Sequence, residues 1–140
     1  MARSSQIQTL SVEASTKHLA EVRDFVAAHA KNIGLSDKDI SEIRLAVDEA
    51  YTNIIKHAYN NHGTEKVNIE IGSDAQKLWI SLIDEGESFD PKTYSEPDLM
   101  QRIKDKKRGG MGVYLIRKVM DQVQYNRKGQ KNEIRMVKKL

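Results

Sequence analysis

The chain has 140 residues, 39% apolar and 31% charged, with no cysteine and a formal charge of +3. Such a length fits one domain, residues 1–140, with a hydrophobic core, and the composition excludes a disordered chain. The lack of cysteine excludes disulfides and thiolate chemistry. No apolar run nears the roughly 18 residues of a membrane helix, and the polar start lacks a secretion signal, so a cytoplasmic location without membrane contact is expected.

Gln6 to Val12 has the length of an opening strand. Ser15 or Thr16 then begins an amphipathic helix, with Leu19, Val22, Phe25, Val26 and Ala30 at three- and four-residue steps, ending near Asn32-Ile33-Gly34. Ser36 is placed to cap a second helix, and Asp37 and Asp39 sit in its first turn, where the dipole favours negative charge. That helix is predicted to reach about Asn60, with Ile40, Ile43, Val47, Ala50, Ile54 and Ala58 as its core stripe.

Two strands are predicted next. Val67, Ile69 and Ile71 alternate with polar residues; after a turn at Ser73-Asp74-Ala75, Leu78, Ile80 and Leu82 do the same. They read as an antiparallel hairpin lying on the helices, the second strand central because both its faces carry apolar groups. From Glu85 to Arg108 periodicity is lost among charges and two prolines, and a connection of this length reads as a lid or binding loop. A helix resumes after Gly112, followed by a strand at Val123 to Asn126, a turn at Lys128-Gly129 and a last strand around Ile134 to Val137.

Three segments have the chemistry of a site. On the long helix Glu49 and Asn53 are four residues apart and share a face at the edge of the core stripe. The carboxylate suits a general base and the amide oxygen a Mg²⁺ ligand; Lys56, one turn on, can reach a phosphate. After the central strand, Asp84 is an acceptor suited to an exocyclic amino group, and Gly86 allows a flat ligand close to the backbone. Arg108-Gly109-Gly110-Met111-Gly112 leads into a helix whose N-terminal N–H groups form an anion site. Each segment alone also fits a plainer role: a surface pair, an acidic turn or a hinge.

Charge is unevenly spread. Residues 1–100 carry 10 Lys/Arg against 17 Asp/Glu, a balance of −7, while residues 101–140 carry 13 against 3, or +10. The basic end suits a polyphosphate or an acidic protein partner, or is a solvated face. Only Tyr125 supplies an aromatic among those basic strands, so a nucleic-acid stacking platform is disfavoured. His18, His29 and His62 lack metal-ligand spacing and read as surface residues.

The order E-x-x-x-N on a helix, D-x-G-x-S-F-D after a strand and G-G-M-G-V before a helix resembles the N, G1 and G2 boxes of the GHKL ATPases. EIRLAVDEAYTNIIKHAY, LIDEGESFD and GGMGVYLIRKVMD are similar to the anti-sigma-factor serine kinases within that superfamily. The resemblance implies a two-layer α+β sandwich, the GHKL or Bergerat fold, with a mixed, mainly antiparallel sheet packed on helices. ATP would lie between the long helix, the lid and the sheet. Glu49 would be the catalytic base and Asn53 the Mg²⁺ ligand. Asp84 would take the adenine amino group, Gly86 would permit close approach, and Gly110 and Gly112 would face the phosphates. Lys56 and Arg108, by charge, and Met111, by its place between the glycines, are further candidates for holding the nucleotide. Two departures from the pattern stand out: Ser88 replaces a G1 glycine, and Asn132-Glu133 lies where a threonine commonly supports the adenine side.

The implied activity is transfer of the γ-phosphoryl of ATP to a serine on an anti-sigma-factor antagonist, with a sigma factor as second partner and a homodimer as the working form. A module that holds ATP and sequesters a partner without transfer is the alternative. A detached histidine-kinase catalytic domain fits the G1 wording less well.

Overall fold

A computed structural model describes residues 7–59, 66–85, 111–129 and 131–140. Strand β1 (Gln8–Glu13) leads through a 3-10 turn at Thr16–His18 into helix α1 (Leu19–Asn32) and then α2 (Asp37–Tyr59). Strands β2 (Lys66–Ser73) and β3 (Lys77–Asp84) follow, then helix α3 (Met111–Val119) and strands β4 (Gln122–Lys128) and β5 (Lys131–Lys139). The strands form one sheet in the order β1-β2-β3-β5-β4, and every described pairing is antiparallel. The helices pack as a layer on it, with α2 against both α1 and α3. This is the expected two-layer sandwich with β3 central, but the sheet is not the mixed one implied: each described strand pairs only with antiparallel neighbours.

Local chemistry explains the element ends. The Ser15 hydroxyl accepts the Lys17 N–H and opens the 3-10 turn. Gly34, at φ +87°, closes α1 in a conformation that costs glycine little. The Ser36 hydroxyl accepts the Asp39 N–H at 3.1 Å, the predicted cap of α2. Asp74 Oδ1 accepts the N–H groups of Gln76 and Lys77 at 2.8 and 3.0 Å, tightening the β2–β3 turn.

The core follows from alternation and helical stripes. Val67, Ile69, Ile71, Leu78, Ile80 and Leu82 turn one sheet face toward Val22, Val26, Ile43, Val47 and Ala50 of the helices. Each of the valine, leucine and isoleucine side chains contributes about 1.5–3 kcal/mol through burial. Tyr51, which the apolar stripe alone does not single out, is fully buried. Its hydroxyl takes the Ser15 N–H at 3.3 Å and lies 2.9 and 2.8 Å from the carbonyl oxygens of Glu13 and Ser15. A polar tip on a buried ring needs such partners, and these tie α2 to the end of β1. On the opposite sheet face Trp79 lies flat over β2, and a Cβ at Gly72 would come within 2.5 Å of its ring. The Arg135 guanidinium is stacked above that ring at 5.5 Å.

His29 corrects its reading as a surface residue. It is 6% exposed, with Nδ1 2.9 Å from Gln8 Oε1 and Nε2 3.0 Å from Ser73 Oγ. The glutamine oxygen only accepts, so Nδ1 carries the proton and Nε2 accepts from the serine hydroxyl. Burial pushes its pKa below the ordinary 6.5. The unfolded chain therefore binds the proton more readily, and this contribution to stability is complete above 6.5 and lost as pH falls from there through the folded pKa. Urea-unfolding midpoints should fall on acidification below 6.5, and His29→Gln should flatten that part of the profile. An unchanged slope in the variant would contradict this assignment.

Candidate functional site

Two anchors fix the direction of α2 across the sheet. Lys138 on β5 is 7% exposed, and its Nζ donates to Glu42 Oε1 at 2.8 Å and to the Val119 carbonyl at 3.0 Å. It thereby joins the early turns of α2, the last turn of α3 and the β5 end opposite Leu78. The hydrogen bond from Lys138 holds the Glu42 carboxyl below the usual carboxylate range. At the other anchor Tyr51 holds Glu13, beside Lys66, and the register carries across from Val12 to Val67 to Asp84. Helix α2 therefore runs from the Leu78 end of β3 toward its Asp84 end. Because α3 packs along α2 and finishes at Lys138, its first turn, at Met111 and Gly112, lies toward that same Asp84 end.

Helical periodicity places the functional side chains on this frame. Glu42 and Glu49 are seven residues apart, close to two full turns, and Asn53 and Lys56 continue the row. Glu42 meets Lys138 beside the end of α3, so Glu49 and Asn53 lie on the α3 side of α2, farther toward the start of α3. Both are half-buried, and Lys56 is exposed. On the α1 side Asp48 accepts from Arg23 Nε at 3.0 Å and pairs with its second nitrogen at 3.0 Å. That two-point fork resists rotation of α2 next to Glu49.

Asp84 ends the central strand and is only 8% exposed. Asn132 Nδ2 donates to its Oδ1 at 3.3 Å, and Arg127 Nη1 donates to Asn132 Oδ1 at 2.7 Å. Asp84, Asn132 and Arg127 sit side by side on β3, β5 and β4. Sequence reasoning did not nominate Arg127 or give Asn132 a contact. The signal was the tight β4–β5 hairpin, whose Lys128–Lys131 pairing sets Arg127 opposite Asn132.

Glu49, Asn53, Lys56, Asp84, Met111 and Gly112 thus belong to elements that point to one end of the sandwich. Gly86, Arg108 and Gly110 lie outside the described residues, as does the lid past Glu85. The first four N–H groups of α3, from Met111 to Tyr114, have no acceptor within their own helix and suit an anion. Among the described residues no group of three or more His, Asp or Glu side chains is placed to hold a metal ion. A Mg²⁺ ion carried largely by substrate phosphates needs no such cage, and the half-buried Asn53 has an amide oxygen of the kind that serves as a single protein ligand. No helix among the described residues is long and apolar enough to cross a membrane.

Residues 12–138 match the histidine kinase-like ATPase domain. The serine-protein kinase RsbW of Halalkalibacterium halodurans is 34% identical over 119 residues, 82% of this chain and 72% of that protein. RsbW of Staphylococcus aureus strain MSSA476 is 35% identical over 121 residues, 81% of this chain and 75% of the relative. Among solved structures, the RsbU and RsbW domains of Rv1364c from Mycobacterium tuberculosis share the fold. The TM-score is 0.68 at 13% identity, over 95% of this chain and 32% of that one. The chain belongs to the histidine kinase-like ATPase family, within its branch of RsbW serine-protein kinases.

Proposed function

We propose that the chain acts as a single cytoplasmic kinase domain that uses Mg-ATP to phosphorylate a serine on an anti-sigma-factor antagonist. In the same reading it binds a sigma factor and works as a homodimer. The observation that carries the proposal is the shared direction of three elements: the Glu49–Asn53 row of α2, the Asp84 end of β3 and the first turn of α3. Family membership supports the use of ATP.

Asp84 takes the adenine amino group, and Gly86 lets the base lie close to the backbone. The first turn of α3, with Met111 and Gly112, faces the phosphates, joined by Gly110, Arg108 and Lys56. Asn53 would hold Mg²⁺, which when bound would supply positive charge against the phosphate oxygens. Glu49 accepts the proton of the incoming serine hydroxyl while the serine oxygen bonds to the γ-phosphorus and the bond to the β–γ bridging oxygen breaks. ADP departs with that oxygen. Such transfer depends mainly on position and charge, so this chain needs no phosphohistidine.

The test is incubation with γ-labelled ATP, Mg²⁺ and a candidate serine-bearing antagonist. Label on the antagonist's serine is expected. Stable partner binding with no transfer would replace the kinase with an ATP-holding sequestration module.

A further inference from the structure

We propose that Arg127 and Asn132 set the base selectivity of the nucleotide site by holding the Asp84 carboxylate in place as a hydrogen-bond acceptor. This inference rests on the placement of adenine at Asp84 proposed above, and concerns residues to which that reading gives no role.

A side-chain amide can flip by exchanging its oxygen and nitrogen at little cost, unless its neighbours forbid one arrangement. Here both neighbours do. Arg127 is donor-only, so Asn132 must turn its oxygen toward it, at 2.7 Å. An ionised Asp84 is acceptor-only, so Asn132 must turn its NH₂ toward that carboxylate, at 3.3 Å. A donor-only group at one end and an acceptor-only group at the other leave the amide a single orientation. The three residues are also held in line by adjacent strand positions, so backbone register supports what the side chains select.

The consequence falls on Asp84. Asn132 holds one carboxylate oxygen by donating to it at 3.3 Å, which limits rotation of the group. Such a carboxylate accepts from a base that carries an amino group at its six-position, as adenine does. It repels a base with a carbonyl oxygen there, as in hypoxanthine or guanine. Were the amide able to flip, its oxygen would face the carboxylate, and the repulsion would push Asp84 out of its place against the base. The Arg127 contact prevents that exchange. Asn132 and Arg127 are therefore positioning residues, acting on the base through Asp84.

Inosine triphosphate is the suitable probe, because it replaces the six-amino group of ATP with a carbonyl and adds no group at position two. Affinities for ATP and inosine triphosphate would be measured by calorimetry on the full chain, with Asn132→Asp, Arg127→Met and Arg127→Lys beside the wild type. The wild type is expected to prefer ATP by roughly 10- to 100-fold, the scale of losing a charged hydrogen bond in a buried site. Asn132→Asp replaces a donor with a like charge that repels Asp84 from its place, and the preference should fall to about 3-fold or less. Arg127→Met should lower the preference several-fold, and Arg127→Lys, which keeps a donor, should restore most of it. Arg127 is exposed, so its substitution leaves the fold intact even if Asn132→Asp does not.

Variants that bind ATP more weakly but keep the wild-type preference would overturn the inference and leave these residues with a purely structural role. A wild type that binds ATP without preference would also overturn it, while sparing ATP binding itself. A wild type that binds neither nucleotide would defeat the proposed function along with it.

Discussion

Glu49→Ala is expected to abolish measurable serine phosphorylation, lowering the transfer rate by about 10²- to 10⁴-fold, the usual contribution of a positioned general base. ATP affinity should change little, since Glu49 serves the incoming hydroxyl and leaves the base and phosphates to other groups. The structural ground is its place in the Glu42–Glu49–Asn53 row. Lys138 fixes Glu42 at one end of that row, and the Arg23–Asp48 fork resists rotation of the helix beside Glu49. Single-turnover transfer and equilibrium ATP binding, measured on the same preparation, separate the two effects. Retained transfer in the variant would remove Glu49 from the mechanism; joint loss of binding and transfer would make it a nucleotide-binding group.

Asp84→Ala should have the converse signature. Loss of a charged hydrogen-bond partner in a buried site costs about 1.5–3 kcal/mol, or about 10- to 150-fold in ATP affinity. The variant leaves the Asn132 amide facing a small apolar residue in place of a carboxylate. Transfer at saturating ATP should fall far less than affinity, because the adenine contact is remote from the γ-phosphoryl group. Titration with ATP followed by transfer at saturation checks both. Unchanged affinity would place the adenine elsewhere.

Much of this architecture is written in local patterns. Alternation in β2 and β3 gave their faces and order, because burial on one side imposes a period of two. The Ser36 cap and Gly34 stop marked the α1–α2 junction, because each satisfies a backbone requirement that few other residues meet. Residues that act across long separations were harder to foresee. His29 looked like a surface histidine, since neither Gln8 nor Ser73 signals from a distance that it will meet an imidazole. Lys138 belongs to a basic C-terminal run that suits either a ligand or partner surface or a solvated face, yet it is buried against Glu42 and Val119. Its partner lies 96 residues earlier, and only the packed sheet brings them together. For the candidate site, spacing along α2 located Glu49 and Asn53, and the strand end located Asp84. The Arg127–Asn132 arrangement needed the exact strand pairing, since a shift of one residue would turn both side chains to the other face.

The central claim is that α2, the end of β3 and the start of α3 serve one triphosphate. A crystal structure of the chain with Mg²⁺ and a non-hydrolysable ATP analogue tests it most directly. The adenine amino group is expected on Asp84, the metal on Asn53, and the phosphates between that residue and the first turn of α3 at Met111 and Gly112. A nucleotide bound at another surface, or one touching Asp84 while its phosphates point away from α3, would contradict it.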